Sequence, residues 1–325
     1  MRAWQITDHQ TAPTLQDLPL PAPGPGEALV RVAACGLNFA DLLMAKGTYQ
    51  DTPPLPFTLG LEYAGTVVAL GPSTAGPAAG TRVAAYAGHG GLADHAVVPV
   101  ARLVPLPDAM PFEVAAGFQI AYGTSHLALT HKARMQPGET LFVTGAAGGV
   151  GLTAVEIGKR MGARVVASAR GADKLAVAAA AGADVLIDSD APDLKGRLRG
   201  LGGVDVVYDT VGGAGFDAAL RAIRPEGRML AIGFAGGAVP QVPANILLVR
   251  NASVMGFWWG AYADFAPDLL TGSLQVLMGW YAAGQLAPHL SHVLPMDHLP
   301  EGLDLLRRRA ATGKVVIRVS LPPQP

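Results

Sequence analysis

Residues 140–151 read Thr140-Leu141-Phe142-Val143-Thr144-Gly145-Ala146-Ala147-Gly148-Gly149-Val150-Gly151, a short β-forming run that breaks into glycine and alanine. A helical pattern follows over 150–161. Strand, small-residue turn and helix is the order that a dinucleotide fingerprint needs. Ala146, Gly148 and Gly151 fall on the three small positions of a G/A-x-G-x-x-G frame. Gly148 has no β-carbon, so backbone can approach a pyrophosphate closely, and Gly151 lets the helix pack against its strand. The N–H groups and positive dipole end of the helix, with Gly149 and Val150 in the first turn, then face the phosphates. A turn made tight for packing alone would read the same locally, so the flanking sequence decides.

Outward from this turn, short β-branched runs at 140–144, 164–168, 185–187, 204–208, 228–232 and 253–257 alternate with helical stretches at 150–161, 173–181, 216–223 and 243–250. This alternation predicts α/β architecture, a doubly wound parallel sheet of the Rossmann type. Residues 1 to about 118 differ: short β-like runs are separated by Pro and Gly, as in Pro21-Ala22-Pro23-Gly24-Pro25-Gly26. That pattern predicts an antiparallel, partly barrel-like domain. After residue 258 come helical patterns and one strand at 314–319. A lone strand cannot cover its own faces, so it is expected to return to the first domain. The predicted division is 1–118 with 259–325, and 119–258.

The second strand of the dinucleotide domain ends Val165-Val166-Ala167-Ser168-Ala169-Arg170, with no acid at its tip. An Asp or Glu there would bind a ribose 2′-hydroxyl and repel a 2′-phosphate. Ser168 can donate a hydrogen bond, and Arg170 and Lys174 carry positive charge. The predicted cofactor is NADPH.

Half of the 325 residues are hydrophobic, 15% are charged and the formal net charge is -1, so disorder is excluded and bulk attraction to nucleic acid or anionic membranes is absent. One cysteine, Cys35, excludes an intramolecular disulfide framework and any multi-thiolate site. No signal-peptide pattern and no apolar run of about 18 residues is present. The expected location is cytoplasmic.

With those residues placed, the chain resembles the zinc-independent quinone oxidoreductases of the medium-chain dehydrogenase/reductase superfamily. The resemblance rests on Pro25-Gly26-Glu27, Gly36-Leu37-Asn38-Phe39-Ala40-Asp41, Gly47-Thr48-Tyr49, Gly60-Leu61-Glu62-Tyr63-Ala64-Gly65, the 146–151 turn and Thr312-Gly313-Lys314-Val315-Val316. It implies a GroES-like catalytic domain made from both ends of the chain, a Rossmann domain, a cofactor in the cleft, and a homodimer or homotetramer joined near 253–257. Zinc-dependent members place metal ligands where this chain has Asn38, Leu61 and Ala116; leucine and alanine have no donor atom, so no metal is expected. Without a Lewis acid the better hydride acceptor is a quinone or conjugated enone, whose oxyanion needs only hydrogen bonds and a later proton. The acceptor pocket is expected to contain no metal cation of its own.

By resemblance, Asn38 and Tyr49 lie nearest the acceptor, and Asp41 orients the loop or cofactor. A turn residue, a pocket wall and a helix cap are the structural alternatives for the three. Further cofactor contacts are implied at Thr124, Gly233, Phe234, Phe257, Trp258 and Lys314, and an aromatic pair at Trp258 and Trp259 could wall the nicotinamide or pack a core. Asp188-Ser189-Asp190 departs from the family pattern and puts two acids near the adenosine end. Two alternatives remain open: reduction of an enal, enone or enoyl double bond, and a non-enzymatic NADPH-sensing or nucleic-acid-binding protein.

Overall fold

Parallel neighbours can be joined only by crossover connections, which is why residues 140–257 alternate strand with helix. In the computed structural model, which describes residues 1–319, the strands lie in the spatial order Val185–Asp188, Arg164–Ala169, Thr140–Thr144, Val204–Asp209, Ile223–Ala231, Ser253–Gly256. All the pairings among them are parallel. The chain leaves the first strand toward one side and later returns to the other. That reversal leaves a crevice beyond the carboxyl end of Thr140–Thr144, and the 145–151 turn occupies it. The fifth strand starts at Ile223 rather than 228. A helix at Leu194–Gly200, capped by the Asp193 carboxylate on Gly196 N, adds to the expected set.

The chain divides into unit 1, Met1–Ile120 with Leu274–Pro325, and unit 2, Ala121–Ser273. The second boundary therefore falls well after 258, and residues 320–325 of the expected closing segment lie outside the described residues. Residues 259–273 stay with unit 2 for a packing reason. Trp259 is buried against Gly123, where a β-carbon would lie 2.6 Å from its Nε1. Tyr262 stacks on Phe257 at 5.3 Å, and His126 Nδ1 bonds Ser273 Oγ at 2.7 Å. Phe142, Val166, Ile187, Leu198 and Phe216 centre a core on one face of the sheet.

Unit 1 carries the larger antiparallel sheet, ordered Leu290–Pro295, Lys314–Arg318, Glu27–Leu37, Glu62–Leu70, Arg82–Tyr86, Leu103–Pro105, with His95–Pro99 also on Glu27–Leu37. Lys314–Arg318 returns as expected, antiparallel to Glu27–Leu37 with Val316 opposite Gly36. Leu290–Pro295 covers its other edge in parallel. Gly36 needs to be glycine, because a β-carbon would sit 2.3 Å from Ala116 O. Among the described residues no helix is long and apolar enough to cross a membrane.

Candidate active site

In unit 2 the helix Gly149–Arg160 starts directly from the turn, with Gly148 as its N-cap and no side chain capping it. The turn reaches that shape through Gly145, whose φ is +59° and whose β-carbon would strike Thr210 Oγ1 at 2.5 Å. The fingerprint frame does not single out Gly145, although it is the strained position. A β-carbon on Gly151 would lie 2.2 Å from Gly145 O, so Gly151 makes room for the turn itself rather than for the strand. At Gly148 the nearest atom to an added β-carbon is Gly145 O at 3.3 Å. Packing alone demands glycine less there than at Gly145 or Gly151, and no side chain occupies the cap that a pyrophosphate would take.

A buried latch holds the turn from below. Thr144 Oγ1 donates to Asp209 Oδ1 at 2.6 Å and accepts from Thr210 N at 3.0 Å, while Thr210 Oγ1 donates to Thr144 O at 2.9 Å. Asp209 also accepts Gly212 N, and burial pushes its carboxyl above the usual range, against the pull of the Thr144 hydrogen bond. Thr124 is buried on the helix Gln119–Leu127; its neighbour Ser125 donates to Val150 O at 3.0 Å, which ties that helix to the first turn of Gly149–Arg160.

At the tip of the second strand, Ser168 is buried and its carbonyl accepts Ala146 N at 3.0 Å, binding the strand tip to the phosphate turn. Arg170 is exposed, and its Nε lies 3.1 Å from Asp190 Oδ2. Lys174 lies on the helix Ala172–Ala180. At the carboxyl end of the fifth and sixth strands Gly233 N donates to Asp209 O, Phe234 and Trp258 are partly exposed, and Phe257 is buried on Tyr262. Trp258 and Trp259 do not form a pair of equivalent walls, since Trp259 belongs to the core.

In unit 1 the predicted residues gather around a buried ion pair. Lys314 Nζ donates to Glu62 Oε1 at 2.8 Å, Asn38 Oδ1 at 2.7 Å and Leu37 O at 2.8 Å. An ammonium has three hydrogens, and all three are used. Lys314 thereby acts as a cross-tie between chain segments. A side-chain cation, the Lys314 ammonium, thus sits 2.7 Å from Asn38. Nothing local in the sequence around Glu62 or Lys314 marks them as partners.

Asn38 Nδ2 donates to Glu62 Oε1 at 3.1 Å and to Gly36 O at 3.3 Å, and Ile120 N donates to Glu62 Oε2 at 2.9 Å. Asp41, fully buried, accepts Asn38 N at 2.8 Å and Gly60 N at 3.2 Å from the first turn of the helix Phe39–Ala45. Burial raises its carboxyl to about 7, offset in part by the Asn38 hydrogen bond and by Lys314. Tyr49 lies half-buried beyond that helix, and its carbonyl accepts Thr52 Oγ1. Cys35 is wholly buried, with Sγ 3.2 Å from Glu62 O; burial raises the thiol, which suits a core residue and not a nucleophile. Among the described residues no three His, Cys, Asp or Glu side chains converge to hold a metal ion.

Comparison with known proteins identifies two domains in the chain. Residues 24–108 match the alcohol dehydrogenase GroES-like domain, and residues 149–271 match the zinc-binding dehydrogenase domain. The chain is 38% identical over 300 residues to a quinone oxidoreductase-like protein 2 homolog of Nematostella vectensis, covering 90% of this chain and 82% of that protein. It is 32% identical to the Bos taurus prostaglandin reductase-3 over 95% of this chain and 85% of the relative. The quinone oxidoreductase of Thermus thermophilus, solved also in complex with NADPH, superposes with a TM-score of 0.87 at 34% identity over 98% of this chain and all of that one.

Proposed function

We propose that this chain, which belongs to the zinc-independent, quinone oxidoreductase-like members of the medium-chain dehydrogenase/reductase superfamily, is an NADPH-dependent reductase acting on quinones. The observation that carries the cofactor is the helix start at Gly148, which no side chain caps, placed at the switch point of the sheet. The absence of an acid from Ser168 to Arg170 and the Thermus relative's NADPH complex support the phosphorylated dinucleotide.

When bound, NADPH supplies the hydride. Gly149, Val150 and Gly151 would hold the pyrophosphate by the N–H groups of the first helical turn, Ala146 and Gly148 would shape the turn through their bonds to Ser168 O and Gly145 O, and Ser168, Arg170 and Lys174 would receive the 2′-phosphate. Gly233, Phe234, Phe257, Trp258 and the Thr124 helix line the rest of the dinucleotide site. In unit 1, Asn38 has its amide hydrogens committed to Gly36 O and Glu62 Oε1, so it fixes the 36–41 loop and leaves the proton to another group. The Tyr49 hydroxyl is that group, delivering a hydrogen bond or proton to the acceptor oxygen. Asp41 braces the same loop from its buried side.

The test is NADPH and NADH oxidation against benzoquinone, naphthoquinones and enones, with and without chelator. Chelator-insensitive turnover of quinones with NADPH is expected. Loss of activity with chelator, or preference for NADH, would overturn the reading. The prostaglandin reductase relative favours a second acceptor class, conjugated enones, and faster enone turnover would select it.

A homodimer or homotetramer is part of the same proposal. Ser253–Gly256 ends the sheet, and Leu248 and Val249 on the helix before it are 78% and 74% exposed. An edge strand beside exposed apolar side chains favours edge-to-edge pairing with a second copy. Light scattering reporting a monomer would exclude it.

A further inference from the structure

We propose that Asp190 sets how strongly unit 2 discriminates NADPH from NADH, by competing with the 2′-phosphate for the Arg170 guanidinium; this rests on the NADPH reading above.

The parallel register of the second and third strands places Ala169 opposite Asp188, so the loops that follow them emerge side by side at the carboxyl edge where the ribose is expected. Ser189 N donates to Ala169 O at 3.0 Å, joining the two loops. The Asp188 carboxylate accepts Asp190 N at 3.0 Å, a local turn that presents Asp190 toward Arg170. Arg170 Nε then donates to Asp190 Oδ1 at 3.2 Å and lies 3.1 Å from Oδ2. One carboxylate shapes the turn, and the other holds the cation.

The two side chains are 67% and 61% exposed, so burial does not commit either of them to the pair. A phosphate that uses the Nε face of Arg170 must displace Asp190. A phosphate that uses the opposite edge keeps its charge within a few ångströms of the same carboxylate. Both routes penalise a 2′-phosphate and leave a 2′-hydroxyl almost untouched. Asp190 thus weakens NADPH selectively without touching the shared parts of the cofactor.

The experiment is calorimetric titration of wild type, Asp190→Asn, Arg170→Ala and the double variant with NADPH and NADH, and with 2′,5′-ADP against 5′-AMP. Asp190→Asn should tighten NADPH and 2′,5′-ADP about 3- to 10-fold at low salt, with NADH and 5′-AMP changed less than about 2-fold. The gain should shrink in molar salt, where the charges are screened. It should fall below about 2-fold in the Arg170→Ala background, because the residue acts through that guanidinium. An unchanged or weakened NADPH affinity, an equal gain for NADH, or a gain that survives Arg170→Ala would overturn the proposal while wild type still preferred NADPH. Wild type binding NADH better, or neither nucleotide, would instead sink the NADPH reading and this inference with it.

Discussion

The phosphate turn of unit 2 and the ion-paired knot of unit 1 both prepare the start of a helix, by opposite means. The turn works through side chains that are missing: Gly145, Gly148 and Gly151 leave backbone exposed at Gly149–Arg160, and the Asp209 carboxylate lies beneath the turn. The knot works through charges that are buried and fully engaged. Lys314, Glu62, Asn38 and Asp41 lock the loop that leads into Phe39–Ala45. The difference teaches that a turn made for a ligand is shaped mainly by the absence of side chains, with a left-handed backbone needed only at Gly145, whereas a rigid loop needs its donors and acceptors matched in advance. Damage to the first should appear in affinity, and damage to the second in stability.

The largest effect is expected from cutting the knot. Glu62→Ala leaves the Lys314 ammonium buried without its carboxylate and should cost about 3–5 kcal/mol in urea unfolding. Lys314→Met should be comparably harmful alone, and the Glu62→Gln/Lys314→Met pair should recover part of the loss, since coupled partners are not additive. Additive losses would break the comparison. Next, Gly151→Ala must push the turn away from a 2.2 Å clash with Gly145 O. It should cost about 1–3 kcal/mol of overpacking and at least as much in NADPH affinity, whereas Gly148→Ala should spare stability and lose affinity alone. Titration and unfolding of the same samples separate the two.

Asp41 sharpens the contrast through pH. Its folded carboxyl is raised from 3.8 to about 7, so between those values the folded state holds a proton that the unfolded chain has lost. Stability contributed by this group therefore falls as pH rises from about 4 to 7, by at most about 1.4 kcal/mol per pH unit. Asp41→Asn should flatten that slope; an unchanged slope would refute the assignment. The smallest effect is expected on the outer face of the same last strand. Arg318 pairs with Glu113 at 2.9 Å but is 44% exposed, so Arg318→Ala should change stability by less than about 1 kcal/mol.

The same contrast explains what is legible before folding. The six parallel strands, the turn and the acid-free tip at Ser168 are local patterns, because glycine spacing and period-specific hydrophobicity act over ten or twenty residues. The returning strand at Lys314–Arg318 follows from its need for partners. The knot leaves no such mark, since Glu62 and Lys314 are held together only by the register of Lys314–Arg318 on Glu27–Leu37 and of Glu27–Leu37 on Glu62–Leu70. Asn38 reads in sequence either as a group facing the acceptor or as a turn residue, and its long-range contact with Lys314 leaves no local trace. Residues 259–273 read as part of unit 1 because the aromatic packing of Trp259 and Tyr262 leaves no periodic trace.

The insertion of Lys314–Arg318 between Leu290–Pro295 and Glu27–Leu37 also bears on how the protein is made. Val316 leaves the ribosome about 280 residues after its neighbour Gly36, at ordinary elongation speeds a wait on the order of tens of seconds. For most of that interval the nascent chain carries a Glu62 carboxylate without its counter-ion and leaves the Gly36 stretch of Glu27–Leu37 without its Lys314–Arg318 partner. Unit 2 is contiguous from Ala121 to Ser273, so its sheet does not wait on a strand from the far end of the chain. Translation speed and chaperone supply should therefore govern the yield of unit 1 far more than that of unit 2.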